Sequence, residues 1–198
     1  MVALIPRTGT RPAPTFNPNG IKMVVKYSIK LSLLAFILFT LGLLLPINGQ
    51  IPVAGASPAD WNPRSFWYSP WGRSGTHKGI DIFAKVGTPV LAATTGLVIH
   101  IGFNDMGGNN LLILGAKWRF YYYAHLQRID SHAFQWISVG EKIGTVGNTG
   151  NAIGKPPHLH FTIRSLFPLI WRYDANKPQA WLKTFYLNPN QLFNAYYL

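Results

Sequence analysis

His158-Leu159-His160-Phe161-Thr162-Ile163 is the stretch whose reading decides the fold. Side chains two apart on a strand share a face, so His158 and His160 project together while Leu159 and Phe161 enter a core. The same texture runs upstream through Pro89 to Ala93, Gly96 to Ile101, Leu111 to Leu114, Arg119 to Ala124 and Lys142 to Val146. These are short β-branched or apolar runs punctuated by Gly, Asn and Pro, the mark of strands joined by turns. Gly107-Gly108-Asn109-Asn110 and Gly147-Asn148-Thr149-Gly150-Asn151 supply residues that tolerate the positive φ of tight connections. No run after Val86 has helical periodicity, so the reading is all-β.

A weak internal repeat sharpens it. Val86-Gly87-Thr88-Pro89-Val90, ending at Thr95-Gly96, is echoed by Val139-Gly140-Glu141-Lys142-Ile143, ending at Thr149-Gly150. This suggests a duplicated hairpin element packed into one antiparallel sheet or sandwich. The aromatic, irregular segment Trp61 to Thr76 is expected to wall the site. The chain after Arg164 is expected to wrap the domain without readable elements.

The N-terminal part differs in kind. Lys22, Lys26 and Lys30 precede the apolar run Leu31 to Leu45, and Ala54-Gly55-Ala56 offers small residues at alternate positions, as a signal-peptidase site does. Two readings stand: a signal cleaved after Ala56, or an uncleaved membrane anchor through residues 29–47. The polar, Pro-rich start carries Arg7 and Arg11, and translation could begin at Met1 or Met23. Residues 1–56 are therefore read as an extension with a signal or anchor helix, and residues 57–198 as the folded domain, its core about 64–164.

With 48% hydrophobic and 12% charged residues the chain is not a disordered one. It has no cysteine, so neither a disulfide framework nor a lipid-bearing cysteine is available. Five of the 18 Lys and Arg precede Ser57 while all six acids follow it, leaving the domain at +7. That charge suits an anionic partner, and export turns the expectation away from nucleic acid toward lipid or wall polymer.

Six histidines occur, at 77, 100, 125, 132, 158 and 160. Neither His158-x-His160 nor the His77-Asp81 pair is specific alone: the first could be a surface pair, the second a mutual hydrogen bond. Together His77, Asp81 and His160 give two nitrogens and one carboxylate oxygen, leaving a fourth tetrahedral position for water, as a catalytic zinc site requires. His125 and His158 then become candidates for orienting that water, moving its proton or stabilising an oxyanion. Glu141, the only glutamate, sits in a turn and is no candidate for the base. His100 and His132 are read as structural or exposed. Trp67, Tyr68, Trp71, Tyr121 and Tyr122 could line a groove or pack a core.

At this point the chain resembles the lysostaphin-type, LytM-like zinc endopeptidases of peptidoglycan. The resemblance runs from Arg64 to Arg164 on His77-Lys78-Gly79-Ile80-Asp81-Ile82, Gly87-Thr88-Pro89-Val90, Tyr122-Tyr123-Ala124-His125-Leu126, Gly144 to Gly150, and Pro157-His158-Leu159-His160-Phe161. It implies one Zn2+ held by His77, Asp81 and His160, with His125 and His158 in the two catalytic histidine positions. It also implies a two-sheet antiparallel β architecture with a duplicated hairpin element and a groove along one sheet. Thr162 stands where that family often has an acid, and Lys155-Pro156-Pro157 replaces a simpler Gly-Pro approach.

The implied activity is zinc-dependent hydrolysis of peptide bonds in the cell wall, in the periplasm or envelope. Expected partners are stem or cross-bridge peptides of peptidoglycan, the membrane through residues 29–47, and a regulatory partner in the envelope; nucleic acid is not expected. The rivals are a non-catalytic wall-binding regulator of the same fold and a zinc peptidase aimed at protein or bacteriocin-type targets.

Overall fold

The structure, a computed structural model, describes residues 18–196, and Arg7 and Arg11 lie outside them. The chain divides into two compact units between Thr40 and Leu41. Helix α1, Pro18–Leu44, starts on a proline, whose fixed φ suits a first turn, and stops two residues short of Pro46, which cannot continue a helix. Its leucines and isoleucines are exposed along its whole length. By length and composition alone it can cross a membrane, since its 26-residue apolar stretch spans about 39 Å at 1.5 Å per residue against about 30 Å of hydrocarbon.

The rest is built on nine antiparallel strands: β1 Ile80–Phe83, β2 Pro89–Leu91, β3 Gly96–Asn104, β4 Gly108–Gly115, β5 Arg119–Ile129, β6 Trp136–Ile137, β7 Lys142–Val146, β8 His158–Ser165 and β9 Tyr186–Leu187. The main path runs β1-β8-β5-β4-β3-β6, with β9 also on β8. The long strand β5 is shared. Arg119 to Ala124 pair with β8, and from Leu126 onward its partner is β7. Strand β7 in turn carries β2, so the two copies of the repeat pair with each other, Pro89 opposite Thr145 and Val90 opposite Gly144. The Val-Gly turn before each copy uses its glycine at positive φ, 88° at Gly87 and 85° at Gly140.

The alternation read in β8 holds: Leu159, Phe161 and Ile163 are buried in the core with Ile80, Ile82, Leu111, Ile113, Tyr121 and Tyr123. Tyr123 buries its hydroxyl without leaving it unpaired, because it accepts the Ala93 N–H at 2.8 Å.

The end of the chain does more than wrap. It forms two short helices, α2 Ala180–Lys183 and α3 Pro189–Tyr196. Phe193 of α3 stacks on Phe161 at 6.0 Å and meets Trp61 edge-on at 5.1 Å, closing the core from below. Residues ahead of Ser57 also join the domain. Gln50 N–H donates to Ala93 O, Leu91 N–H to Pro52 O and Ala54 N–H to Pro89 O, while Ile51 and Val53 are core residues.

Candidate metal centre

Strand register brings the site together. Asp81 of β1 lies directly across from His160 of β8, and Ala124 of β5 faces His160 from the other side. A small residue there leaves the imidazole open to the groove.

Gly79, just before β1, is required by proximity rather than by turn conformation. A Cβ on it would sit 2.3 Å from Phe161 O, so only glycine lets β1 enter flush against β8. His77 arrives from the irregular segment, which is pinned to it by Trp67 N–H to His77 O at 2.7 Å and His77 N–H to Tyr68 O at 2.9 Å. The Trp71 ring stacks on the His77 imidazole at 4.2 Å, so the aromatic segment does form a wall.

His160 Nδ1 lies 2.7 Å from Asp81 Oδ1, and His77 Nε2 lies 3.1 Å from Asp81 Oδ1 and 3.2 Å from His160 Nδ1. The three ligand atoms fall within 4.8 Å of one another and could hold a metal ion.

Their hydrogen-bond chemistry fits that role. His77 Nδ1 is 3.0 Å from Ser65 O, a carbonyl that can only accept, so a neutral ring carries its proton on Nδ1 and turns the Nε2 lone pair toward Asp81 and His160. His160 Nε2 meets the Thr162 hydroxyl at 3.1 Å, which leaves Nδ1 for the centre. Two lone pairs and a carboxylate converging on one point call for a cation. Burial acts to raise the Asp81 carboxyl, but its interactions with His160 and His77 outweigh it and hold the group well below the usual carboxylate range.

The other two predicted residues adjoin the cluster. His158 Nδ1–H donates to Pro156 O at 2.8 Å, and His158 Nε2 is 4.0 Å from Asp81 Oδ1. His125 Nδ1–H donates to Thr149 O at 2.9 Å, and its ring meets that of His158 edge-on at 4.9 Å. Burial, helped by the neighbouring His160 and His158, pushes the His125 imidazole down to about 4.

His125 adopts φ 64°, a left-handed conformation that is costly for a residue with a Cβ. Its N–H donates to Gly107 O at 2.7 Å at the point where β5 exchanges β8 for β7. The irregularity re-aims the side chain into the groove, as bulges beside functional sites do.

The cluster floors a cavity of about 590 Å³ whose lining includes Trp71, Arg73, Lys78, Tyr122 and Lys155. Of the other aromatic candidates, Tyr68 lines an adjoining cavity, while Trp67 and Tyr121 are buried. His100 and His132 are exposed and stand apart from the cluster. Glu141 receives the Ser138 N–H at 3.0 Å in its turn, away from the site. The sequence did not point to the carbonyls of Ser65, Thr149 and Pro156, since every residue has one. Thr162, noted as a departure, turns out to hold the far side of a predicted ligand.

A groove in an antiparallel sheet, floored by two imidazoles and a carboxylate, is the build of a metallopeptidase domain. Residues 75–176 match peptidase family M23, and the chain belongs to that family. Over 103 residues, 52% of this chain and 23% of the relative, it is 36% identical to the peptidoglycan DD-endopeptidase ShyC of Vibrio cholerae. It is 32% identical to lysostaphin of Staphylococcus simulans over 103 residues, 50% of this chain and 20% of that one. The chain thus spans less than a quarter of the length of these relatives. Among solved structures, the lysostaphin catalytic domain from Staphylococcus simulans is similar with a TM-score of 0.52 and 25% identity, covering 64% of this chain and 86% of that one.

Proposed function

We propose that the chain is a zinc-dependent endopeptidase that hydrolyses peptide bonds in bacterial peptidoglycan, exported to the envelope and facing the periplasmic side of the membrane. The observation that carries this is the convergence of His77, Asp81 and His160 within 4.8 Å on a groove floor, with two further imidazoles beside them. Two nitrogens and one carboxylate oxygen are a donor set that zinc accepts with a position left open. When bound there, zinc supplies Lewis-acid polarisation of a carbonyl and activation of water.

The chain's own residues do the rest. His125 and His158 each fix Nδ1–H on a backbone carbonyl, so both present Nε2 as the free nitrogen. From there they accept the proton of the attacking water, return it to the leaving amine and, when protonated, donate to the developing oxyanion. Among the residues lining the cavity the only carboxylate is Asp81, so histidine carries the proton traffic.

The lining also bears on substrate. Arg73, Lys78 and Lys155 face the main cavity, and Lys78 and Arg164 line a second one that shares Tyr122 and His160 with it. Among the described residues no carboxylate pairs with any of these four cations. Such a groove favours stem peptides, which bear carboxylates, over an uncharged oligoglycine bridge. Residues 50–54 favour a retained anchor, because cleavage after Ala56 would pull Ile51 and Val53 out of the core.

The test is digestion of purified peptidoglycan and of a pentaglycine-bridged wall by the full chain in detergent, with and without chelator, reading new amine termini by mass spectrometry. Chelator-sensitive cuts within stem-peptide cross-links are expected. Folded, zinc-loaded protein that binds the wall and releases nothing would overturn the enzymatic reading in favour of a wall-binding regulator.

A further inference from the structure

Outside α1, exposed apolar side chains are densest in one stretch of the chain that contributes no residue to the metal cluster. Between residues 166 and 182, Leu166, Phe167, Ile170, Trp171, Tyr173, Trp181 and Leu182 are all exposed, with Trp171 77%, Ile170 64% and Trp181 58% accessible. Scattered surface hydrophobics need no explanation, but seven within 17 residues of one braced stretch point to an interaction surface.

The set is built on a braced backbone. Leu169 packs against the core and its N–H donates to Thr184 O at 2.9 Å, which sets the short turn at Ile170–Arg172 beside α2. Trp67 Nε1–H donates to Pro178 O at 2.8 Å and fixes the connection between them. Side chains held outward on a tied-down scaffold are presented rather than merely loose.

The charge of the same stretch is one-sided. Arg172 and Lys177 lie within it and Arg164 and Lys183 flank it, against a single acid, Asp174, which is 3.7 Å from Lys183. Tryptophan, tyrosine and branched aliphatics interleaved with lysine and arginine are the composition of a surface that settles into the headgroup region of an anionic bilayer. A second copy of this chain is a poor occupant, since two such faces would bring like charges together.

The bilayer is also near in chain terms. Only residues 45–50 separate the end of α1 from Ile51 in the core, so a membrane-embedded α1 keeps the domain within about 25 Å of the surface at about 3.5 Å per residue. We propose that residues 166–182 form a peripheral docking face for an anionic lipid surface, a second membrane contact besides α1. The contact has a consequence for the groove. Gln179, within the same stretch, donates through Nε2–H to Ser74 O and accepts from Thr76 Oγ1–H, so the face is mechanically continuous with the loop that delivers His77. Docking would fix the direction in which the groove opens.

The proposal stands apart from the peptidase reading, and its test needs no turnover. Because the chain has no cysteine, single Trp171→Cys and Phe134→Cys variants of the full chain can each carry one spin label. Both positions are exposed, so neither substitution threatens the fold. In vesicles of phosphatidylethanolamine and phosphatidylglycerol, the label at 171 is expected to lose several-fold in collisions with a water-soluble nickel chelate while gaining collisions with oxygen. The label at 134 should stay aqueous. Exchanging phosphatidylglycerol for phosphatidylcholine, or adding Arg172→Gln with Lys177→Gln, should return the label at 171 toward water. Equal nickel access at both positions in anionic vesicles would overturn the proposal, and so would dipolar broadening between labels at 171, which would make the face a protein interface.

Discussion

Replacing Thr162 by valine keeps the shape of the side chain and removes one hydroxyl, so it isolates the bond that Thr162 makes to His160 Nε2 at 3.1 Å. Thr162 is only 7% exposed, so water has little room to take the place of the hydroxyl. A buried imidazole N–H left without a partner costs about 1–3 kcal/mol. The His160 side chain keeps 20% exposure, which places the expected loss in the lower half of that range, about 1–2 kcal/mol. At 1.4 kcal/mol per decade this is about a 5- to 30-fold weaker hold on zinc, overlapping the lower part of the range of about 10- to 100-fold known for outer partners of metal-binding histidines. The assay is competition for zinc between the metal-free full chain and a chromophoric chelator, with the visible spectrum of the cobalt-loaded protein as a second readout of ligand geometry. Thr162→Ser keeps the hydroxyl and should stay within about threefold of the parent. If the valine variant binds zinc as tightly as the parent and gives the same cobalt spectrum, the tautomer argument for His160 is wrong.

Asp81→Asn removes the carboxylate between the two imidazoles and should leave purified protein with essentially no zinc by elemental analysis, with activity lost in parallel. His125→Ala should do the opposite, keeping stoichiometric zinc while turnover on peptidoglycan falls by about 10²- to 10⁴-fold, as loss of a proton-transfer group does. Gly79→Ala places a Cβ 2.3 Å from Phe161 O, and the forced separation of β1 from β8 should cost about 1–3 kcal/mol in denaturant unfolding and weaken zinc binding as well. A fragment beginning at Ser57 lacks the buried Ile51 and Val53 and should be less stable than one beginning at Ile47 by about 3 kcal/mol or more, measured by thermal and urea melts.

The strands were legible because their signal is local. Period-two alternation in His158 to Ile163 survives any tertiary context that buries one face, and the structure buries the face that alternation selected. The apolar part of α1 was legible for the same reason, since the run from Leu31 offers no polar face, whereas its first turns, with Lys22, Lys26 and Lys30, were read only as a basic flank. Helix α3 was not. Its stability comes from Phe193 reaching Trp61 and Phe161, partners 132 and 32 residues away, and Pro-Asn-Gln-Leu-Phe carries too little periodicity to announce a helix on its own. The segment 50–54 was read with the extension because composition assigns it there, whereas its edge pairing with β2 depends on a strand almost 40 residues later.

The candidate site divides along the same line. Residue types that bind metal are rare, so His77, Asp81 and His160 could be singled out from spacing and chemistry, and the register of β1 on β8 brings Asp81 and His160 face to face. What orients them is made of common parts. The carbonyls of Ser65, Thr149 and Pro156 decide which nitrogen of His77, His125 and His158 carries the proton, and no sequence position advertises a carbonyl. Thr162 offers the imidazole a different kind of partner from a carboxylate. A carboxylate accepts the imidazole N–H with a full charge, a hydroxyl does so with a dipole, and both leave the opposite nitrogen free for the metal. The hydroxyl should make His160 a less electron-rich ligand than a carboxylate partner would. On the proposed assignment, a metal at this centre would depend more on His77, Asp81 and His160 themselves, and on the stacked Trp71 wall behind His77, than on the partner behind His160.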